Sequence, residues 1–82
     1  MKILKFSLPT CKPCLILSEQ MKELDLTDFE IEDISAEKNQ DLVEKYNIKN
    51  VPTLVILDEQ DNETERVRNI VQLKTFLKDY EI

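Results

Sequence analysis

The run Thr53-Leu54-Val55-Ile56-Leu57 is the most apolar in the chain and constrains the fold most. A half-exposed strand alternates apolar with polar side chains, so an uninterrupted run of this length reads as a central strand hidden on both faces. Lys2–Ser7 behaves similarly, because Ile3, Leu4 and Phe6 are adjacent enough to point to both faces of a sheet. Two such strands need cover above and below. An 82-residue chain that is 41% apolar has material for one such core, so a single domain over residues 1–82 is expected.

The segments between supply that cover. Leu8-Pro9-Thr10 ends the first strand, and from about Cys11 to Leu24 the residues Cys14, Leu17, Met21 and Leu24 recur at helical spacing. Thr10 is the expected N-cap, with Pro13 in the first turn, where its missing N–H breaks no helical hydrogen bond. Phe29–Ile34 alternates apolar with acidic residues, as an edge strand does. A second helix is expected from about Asn39 to Tyr46, with Leu42, Val43 and Tyr46 inward. Asp58–Asn62 is a polar turn leading to a weaker edge strand, Glu63–Arg68. The last helix is capped by Asn69 with Gln72 at the capping-box position, and its apolar face carries Ile70, Leu73, Phe76, Leu77 and Tyr80. The order predicts an α/β fold, β-α-β-α-β-β-α. Its four-stranded mixed sheet has a parallel opening pair, an antiparallel closing hairpin and helices on both faces.

The chemistry is concentrated in Cys11-Lys12-Pro13-Cys14, which holds the only two cysteines at the head of the first helix. Sulfurs at this spacing can close into a disulfide and reopen, and a helix N-terminus favours the thiolate. The apolar stripe turns Cys14 toward the core and leaves Cys11 at the exposed tip, with Lys12 beside it. Cys11 is therefore the candidate nucleophile and Cys14 the resolving thiol. The pair also supplies half the ligands of a zinc site, but with no histidine and no further cysteine a tetrahedral site needs a second subunit. A non-catalytic binding subunit is a further alternative. A net charge of −6 with scattered cations disfavours nucleic acid, and no apolar stretch approaches the ~20 residues of a membrane span. Two cysteines, and an opening Met1–Phe6 too short for a signal peptide, lead us to expect a reducing, cytoplasmic setting.

The chain resembles the thioredoxin superfamily in three matches that occur in the family's order: Cys11-Lys12-Pro13-Cys14, Lys45-Tyr46-Asn47-Ile48-Lys49-Asn50, and Val51-Pro52-Thr53. It looks like a minimal version without the family's extra N-terminal strand and helix. The resemblance implies thiol-disulfide exchange on protein substrates without a cofactor or metal, a thioredoxin-reductase-like electron donor, and a monomer. It also implies a cis Val51-Pro52 bond beside the disulfide, where Val51 and Pro52 receive substrate. The chain has no glycine; Asn47 and Asn50 stand where the family has glycines, and asparagine tolerates left-handed angles best among the other residues. Thr10 replaces the family's tryptophan before the first cysteine, which implies a different docking surface.

Counting from the motifs puts Lys5 and Asp33 where the family has a buried aspartate and a lysine, with the charges exchanged. The expectation is a reversed ion pair beneath Cys14, in which Asp33 or water accepts the Cys14 proton and each buried charge answers the other. Glutaredoxins share the small fold, and a glutathione-coupled reductase is the alternative. Their Thr-Val-Pro is Asn50-Val51-Pro52 here, and Arg68-Asn69-Ile70 stands in place of their glycine pair.

Overall fold

A computed structural model describes residues 1–80. Its elements are β1 (Lys2–Ser7), α1 (Lys12–Met21), β2 (Glu30–Ser35), α2 (Gln40–Lys45), β3 (Thr53–Leu57), β4 (Glu63–Val67) and α3 (Ile70–Tyr80). They form the expected β-α-β-α-β-β-α succession. The sheet order is β2-β1-β3-β4, so the two most apolar strands lie at its centre. β1 runs parallel to β2 with Lys5 opposite Asp33, and antiparallel to β3 with Lys5 opposite Leu54. β3 and β4 form the antiparallel hairpin.

Alternation along β1 and β3 divides the core in two. On one face Ile3, Leu54 and Ile56 pack with Leu17 and Met21 of α1 and Leu73 of α3. On the other, Leu4, Phe6, Val55 and Leu57 pack with Leu42, Val43 and Tyr46 of α2. Each fully buried side chain of this size contributes roughly 1.5–3 kcal/mol relative to exposure, and β3 is buried along its whole length. Phe29 joins the first cluster against Phe76 and Tyr80, its ring centroid 5.2 Å from that of Tyr80. Tyr80 itself stays 42% exposed. Among the described residues no helix is long and apolar enough to cross a membrane.

Three local expectations are corrected. α1 ends at Met21 rather than near Leu24, because Glu23 and Leu24 donate to the Gln20 and Met21 carbonyls in tight i→i−3 turns that stop the helix. Its N-cap is Cys11, not Thr10: the Cys11 sulfur accepts the Cys14 N–H at 3.2 Å, while Thr10 lies in the preceding turn, which the Cys11 N–H closes onto the Leu8 carbonyl. Of the two asparagines expected in the left-handed region only Asn47 is there, at φ 52°. It occupies the C′ position of α2, with its N–H on the Glu44 carbonyl and the Ile48 N–H on Val43, a Schellman ending in which asparagine replaces the usual glycine. Asn50 keeps ordinary angles, and its carbonyl accepts the Thr53 hydroxyl at 2.6 Å. The second left-handed residue is Asp61, at φ 63° in the hairpin turn.

Candidate active site

The end of β1 and the start of α1 bring the two cysteines together as a disulfide, with Cα atoms 5.2 Å apart. Cys14 is buried on the core face of α1, whereas Cys11 is partly exposed at the helix tip. Pro13 sits in the first turn without loss of a hydrogen bond. Lys12 and Pro13 both face solvent. The sulfur of Cys11 therefore lies where the unpaired N–H groups of the first turn converge, and it already accepts one of them. Negative charge on that sulfur is favoured by the hydrogen bond and by the helix dipole together. One turn on, the Ser18 hydroxyl donates to the Cys14 carbonyl at 3.0 Å.

Beneath α1, the Lys5 ammonium lies 3.2 Å from the Asp33 carboxylate. Lys5 and Asp33 line a cavity of about 410 Å³ whose wall also includes Cys14 and Ser18. The pair forms, but it is lopsided: the Lys5 side chain is 9% exposed and that of Asp33 74% exposed. The reason is topological. β1 is central and covered by α1, while β2 is an edge strand, so its register partner reaches in from solvent. Only one of the two charges is buried, contrary to the expectation of a pair hidden beneath Cys14.

The loop after α2 faces the residues that precede Cys11. The Val51–Pro52 peptide bond is cis, and Asn50 and Val51 share with Leu8, Pro9 and Thr10 an open groove of about 500 Å³. Thr10 thus lines the groove instead of capping the helix. This loop is held by a residue the sequence reading passed over. Arg66 of β4 donates from Nη2 to the Tyr46 carbonyl at 2.6 Å and from Nε to Glu63 at 2.9 Å, so one guanidinium ties the end of α2 to the hairpin. The signal was an arginine among the alternating charges of an edge strand, where nothing in the spacing reveals a cross-loop contact. With its amide nitrogen facing the Lys49 carbonyl, Asn50 accepts from the Arg68 guanidinium at 3.1 Å. Leu15 and Ile16, on the outer face of α1 just after the cysteines, are more than half exposed. Among the described residues no group of three or more Cys, Asp or Glu side chains is placed to hold a metal ion.

Comparison with known proteins gives a consistent result. The family model described as thioredoxin matches residues 1–79. The SPbeta prophage-derived thioredoxin-like protein YosR of Bacillus subtilis (strain 168) is 26% identical over 66 residues, covering 80% of this chain and 79% of that relative. The structure of thioredoxin 1 from the thermophilic eubacterium Thermosipho africanus superposes with a TM-score of 0.83 at 27% identity, over 98% of this chain and 93% of that one. Thioredoxin from Trypanosoma brucei brucei, at 19% identity, shares the fold with a TM-score of 0.85 over 96% of this chain and 73% of its own.

Proposed function

The chain belongs to the thioredoxin family, and from that premise we propose that it reduces protein disulfides by a dithiol mechanism. The Cys11 thiolate attacks one sulfur of the substrate disulfide. An S–S bond forms between Cys11 and the substrate, and the substrate's other sulfur leaves as a thiolate that takes up a proton from water. Cys14 then loses its proton and attacks the Cys11 sulfur, releasing the second substrate thiolate and closing Cys11–Cys14. Two electrons pass to the substrate, and the oxidised pair is recycled by a thioredoxin-reductase-like donor.

The observation that carries this reading is the seat of Cys11: its sulfur caps α1, accepts the Cys14 N–H at 3.2 Å, and is bonded to a Cys14 that is only 2% exposed. The outer sulfur is activated and the inner one shielded until the mixed disulfide forms. Lys12 adds an exposed positive charge beside the nucleophile. Pro13 presets the helical turn that spaces the sulfurs. Val51 and Pro52 offer backbone to an extended substrate segment across the groove from Thr10, a strand-addition mode. The Lys5–Asp33 pair is assigned a supporting role: the buried ammonium favours negative charge in the cavity that Cys14 lines, and Asp33, in contact with solvent, is the outlet for the Cys14 proton. A monomer working in the cytoplasm completes the proposal.

The test is trapping. The Cys14→Ser variant is expected to accumulate a mixed disulfide with an oxidised protein substrate, seen as a dithiothreitol-sensitive adduct by mass spectrometry. Cys11→Ser is expected to form none. Equal adduct formation by both variants, or by neither, overturns the assignment.

A further inference from the structure

The charge of this chain is unevenly spread near the proposed substrate groove. Seventeen acidic residues outnumber eleven basic ones, yet a second cavity of about 270 Å³, lined by Asn47, Lys49, Asn50, Thr53, Arg66 and Arg68, holds three cations and no carboxylate. It adjoins the groove that Thr10, the residue before Cys11, also lines, because Lys49 and Asn50 line both. The three cations are not equivalent. Arg66 is engaged by Glu63 and by the end of α2. Among the described residues neither Lys49 nor Arg68 lies within salt-bridge distance of a carboxylate, since the ion pairs there are Lys5–Asp33, Lys22–Glu19 and Arg66–Glu63. Both are exposed. Arg68 nevertheless has one anchor: with the Asn50 amide nitrogen facing the Lys49 carbonyl, its guanidinium donates to the Asn50 oxygen, which leaves further donors of a planar group in the cavity wall.

We propose that the cavity between Lys49 and Arg68 is a carboxylate subsite, which selects polypeptide substrates carrying aspartate or glutamate a few residues from the cysteine presented to Cys11. This rests on the disulfide-reductase reading above and names its substrate class. A segment lying along Val51 passes the shared wall of the two cavities, so a neighbouring acidic side chain reaches Lys49 and Arg68 while the substrate sulfur remains at Cys11. Elsewhere the net negative surface repels such a substrate, so the preference is local, and charge here acts chiefly on orientation and encounter rate. Glu37, which also lines the groove, repels a carboxylate placed beside it and so disfavours a second acidic side chain there.

The experiment uses the reduced full chain and three synthetic peptides with one cysteine in mixed disulfide with 5-thio-2-nitrobenzoate, identical except for two flanking residues: Asp-Asp, Ser-Ser or Lys-Lys. The release rate is followed by absorbance in single turnover. Two exposed cations predict a rate for the Asp-Asp peptide about five- to tenfold above that of the Lys-Lys peptide at low salt, collapsing toward equality in 1 M salt. Lys49→Gln combined with Arg68→Gln is expected to bring the ratio to about one, and Arg68→Glu to invert it. Because each ratio is taken within one variant, a general loss of folded protein cancels. Equal rates for all three peptides with the parent chain, or a ratio that survives the double substitution, overturn the subsite while leaving the reductase reading intact. Failure to reduce any peptide overturns the reductase reading itself. Glutathione disulfide is the fourth substrate: reduction faster than the Asp-Asp peptide, with the same dependence on Lys49 and Arg68, overturns the assignment to polypeptides.

Discussion

The lopsided Lys5–Asp33 pair leads to a prediction whose sign differs between its two members. Lys5 is an ammonium on a central strand, 9% exposed in its side chain, and Asp33 is an edge-strand carboxylate, 74% exposed, at 3.2 Å. Coulomb attraction at this distance amounts to about 1 kcal/mol in water and several-fold more at a protein-like dielectric. With one partner so exposed, solvent screening keeps the value near the lower limit. Asp33→Ala removes that attraction and leaves a buried cation without its partner, so a loss of about 1 kcal/mol is expected, a fall of roughly 4–8 °C in Tm for a domain of this size. Lys5→Met removes the buried charge and retains an apolar stem of similar length beside Leu54 and α1. The remaining Asp33 is already hydrated and leaves no buried orphan. The expected change is between zero and a gain in stability, since replacing buried charge by apolar groups is commonly neutral or stabilising. Thermal unfolding of oxidised protein, followed by circular dichroism at low and high salt, measures both. Equal losses for the two variants, or a loss above about 2 kcal/mol for Lys5→Met, would refute this account of who depends on whom. The same two proteins test the supporting role. Removing a cation from the cavity beside Cys14 disfavours the reduced, anionic state, so equilibration against glutathione should give Lys5→Met a more negative potential, by about 20 mV for each ~1 kcal/mol of lost interaction.

Three further outcomes follow from local structure. Asn47→Ala, which puts an ordinary residue at φ 52°, is expected to cost about 1 kcal/mol, whereas Asn47→Gly stays within about 0.5 kcal/mol of the parent; urea midpoints distinguish the two. Asn69→Ala removes the side-chain oxygen that accepts the Gln72 N–H at 2.8 Å and is expected to lower stability by about 1 kcal/mol, with an unchanged m-value. In the β3–β4 turn, the Asn62 and Gln60 backbone N–H groups hold the Asp58 carboxyl below the usual carboxylate range. A depressed folded value means stability that is fully present above the ordinary aspartate value of about 3.9 and lost as pH falls through the lower folded one. Asp58→Ala should therefore destabilise at pH 7 and make progressively less difference below pH 4, as read from urea midpoints across that range; a constant difference would refute the link.

The sequence was most informative where one periodicity dominated. Thr53–Leu57 has no polar alternation, and it is the strand buried throughout; α3 has both its cap and its stripe in the sequence, and it runs from Ile70 as the cap residue implies. Element ends were less legible because they depend on which of several donors and acceptors pair. Thr10 and Cys11 can both cap a helix, and the choice went to the sulfur, since the Cys11 N–H is used in the turn on Leu8. The capping atom and the candidate nucleophile are thus the same sulfur. The Lys5–Asp33 contact was reachable by counting register. Its asymmetry was legible only in part: Lys5 falls in a strand whose residues read as central and Asp33 in one that reads as an edge, but a pair counted as lying beneath Cys14 implied equal burial. The contacts of Arg66 and Arg68 were not legible for a different reason: they cross from β4 and the residue just after it to the loop after α2, a separation of 20 residues for the Arg66–Tyr46 bond.

The absence of glycine connects these points. A chain without glycine has to make its left-handed turns from residues that tolerate them poorly, and here the task falls to Asn47 and Asp61. Both are anchored by neighbours: Asn47 lies between the Tyr46 and Asn47 carbonyls that Arg66 engages, and Asp61 lies within the turn that the Asp58 carboxylate organises. Fewer backbone states in the unfolded chain favour the folded one, and the loop that carries Val51–Pro52 is tied to β4 instead of relying on glycine's freedom. Arg66 is therefore expected to position the loop that lines the groove as well as to hold the hairpin. Arg66→Met is expected to leave the Cys11–Cys14 disulfide and the core in place while loosening the α2–β3 loop, read as faster amide exchange confined to residues 46–51. Faster exchange throughout the sheet would instead make Arg66 a general stabiliser and remove the connection between the hairpin and the groove.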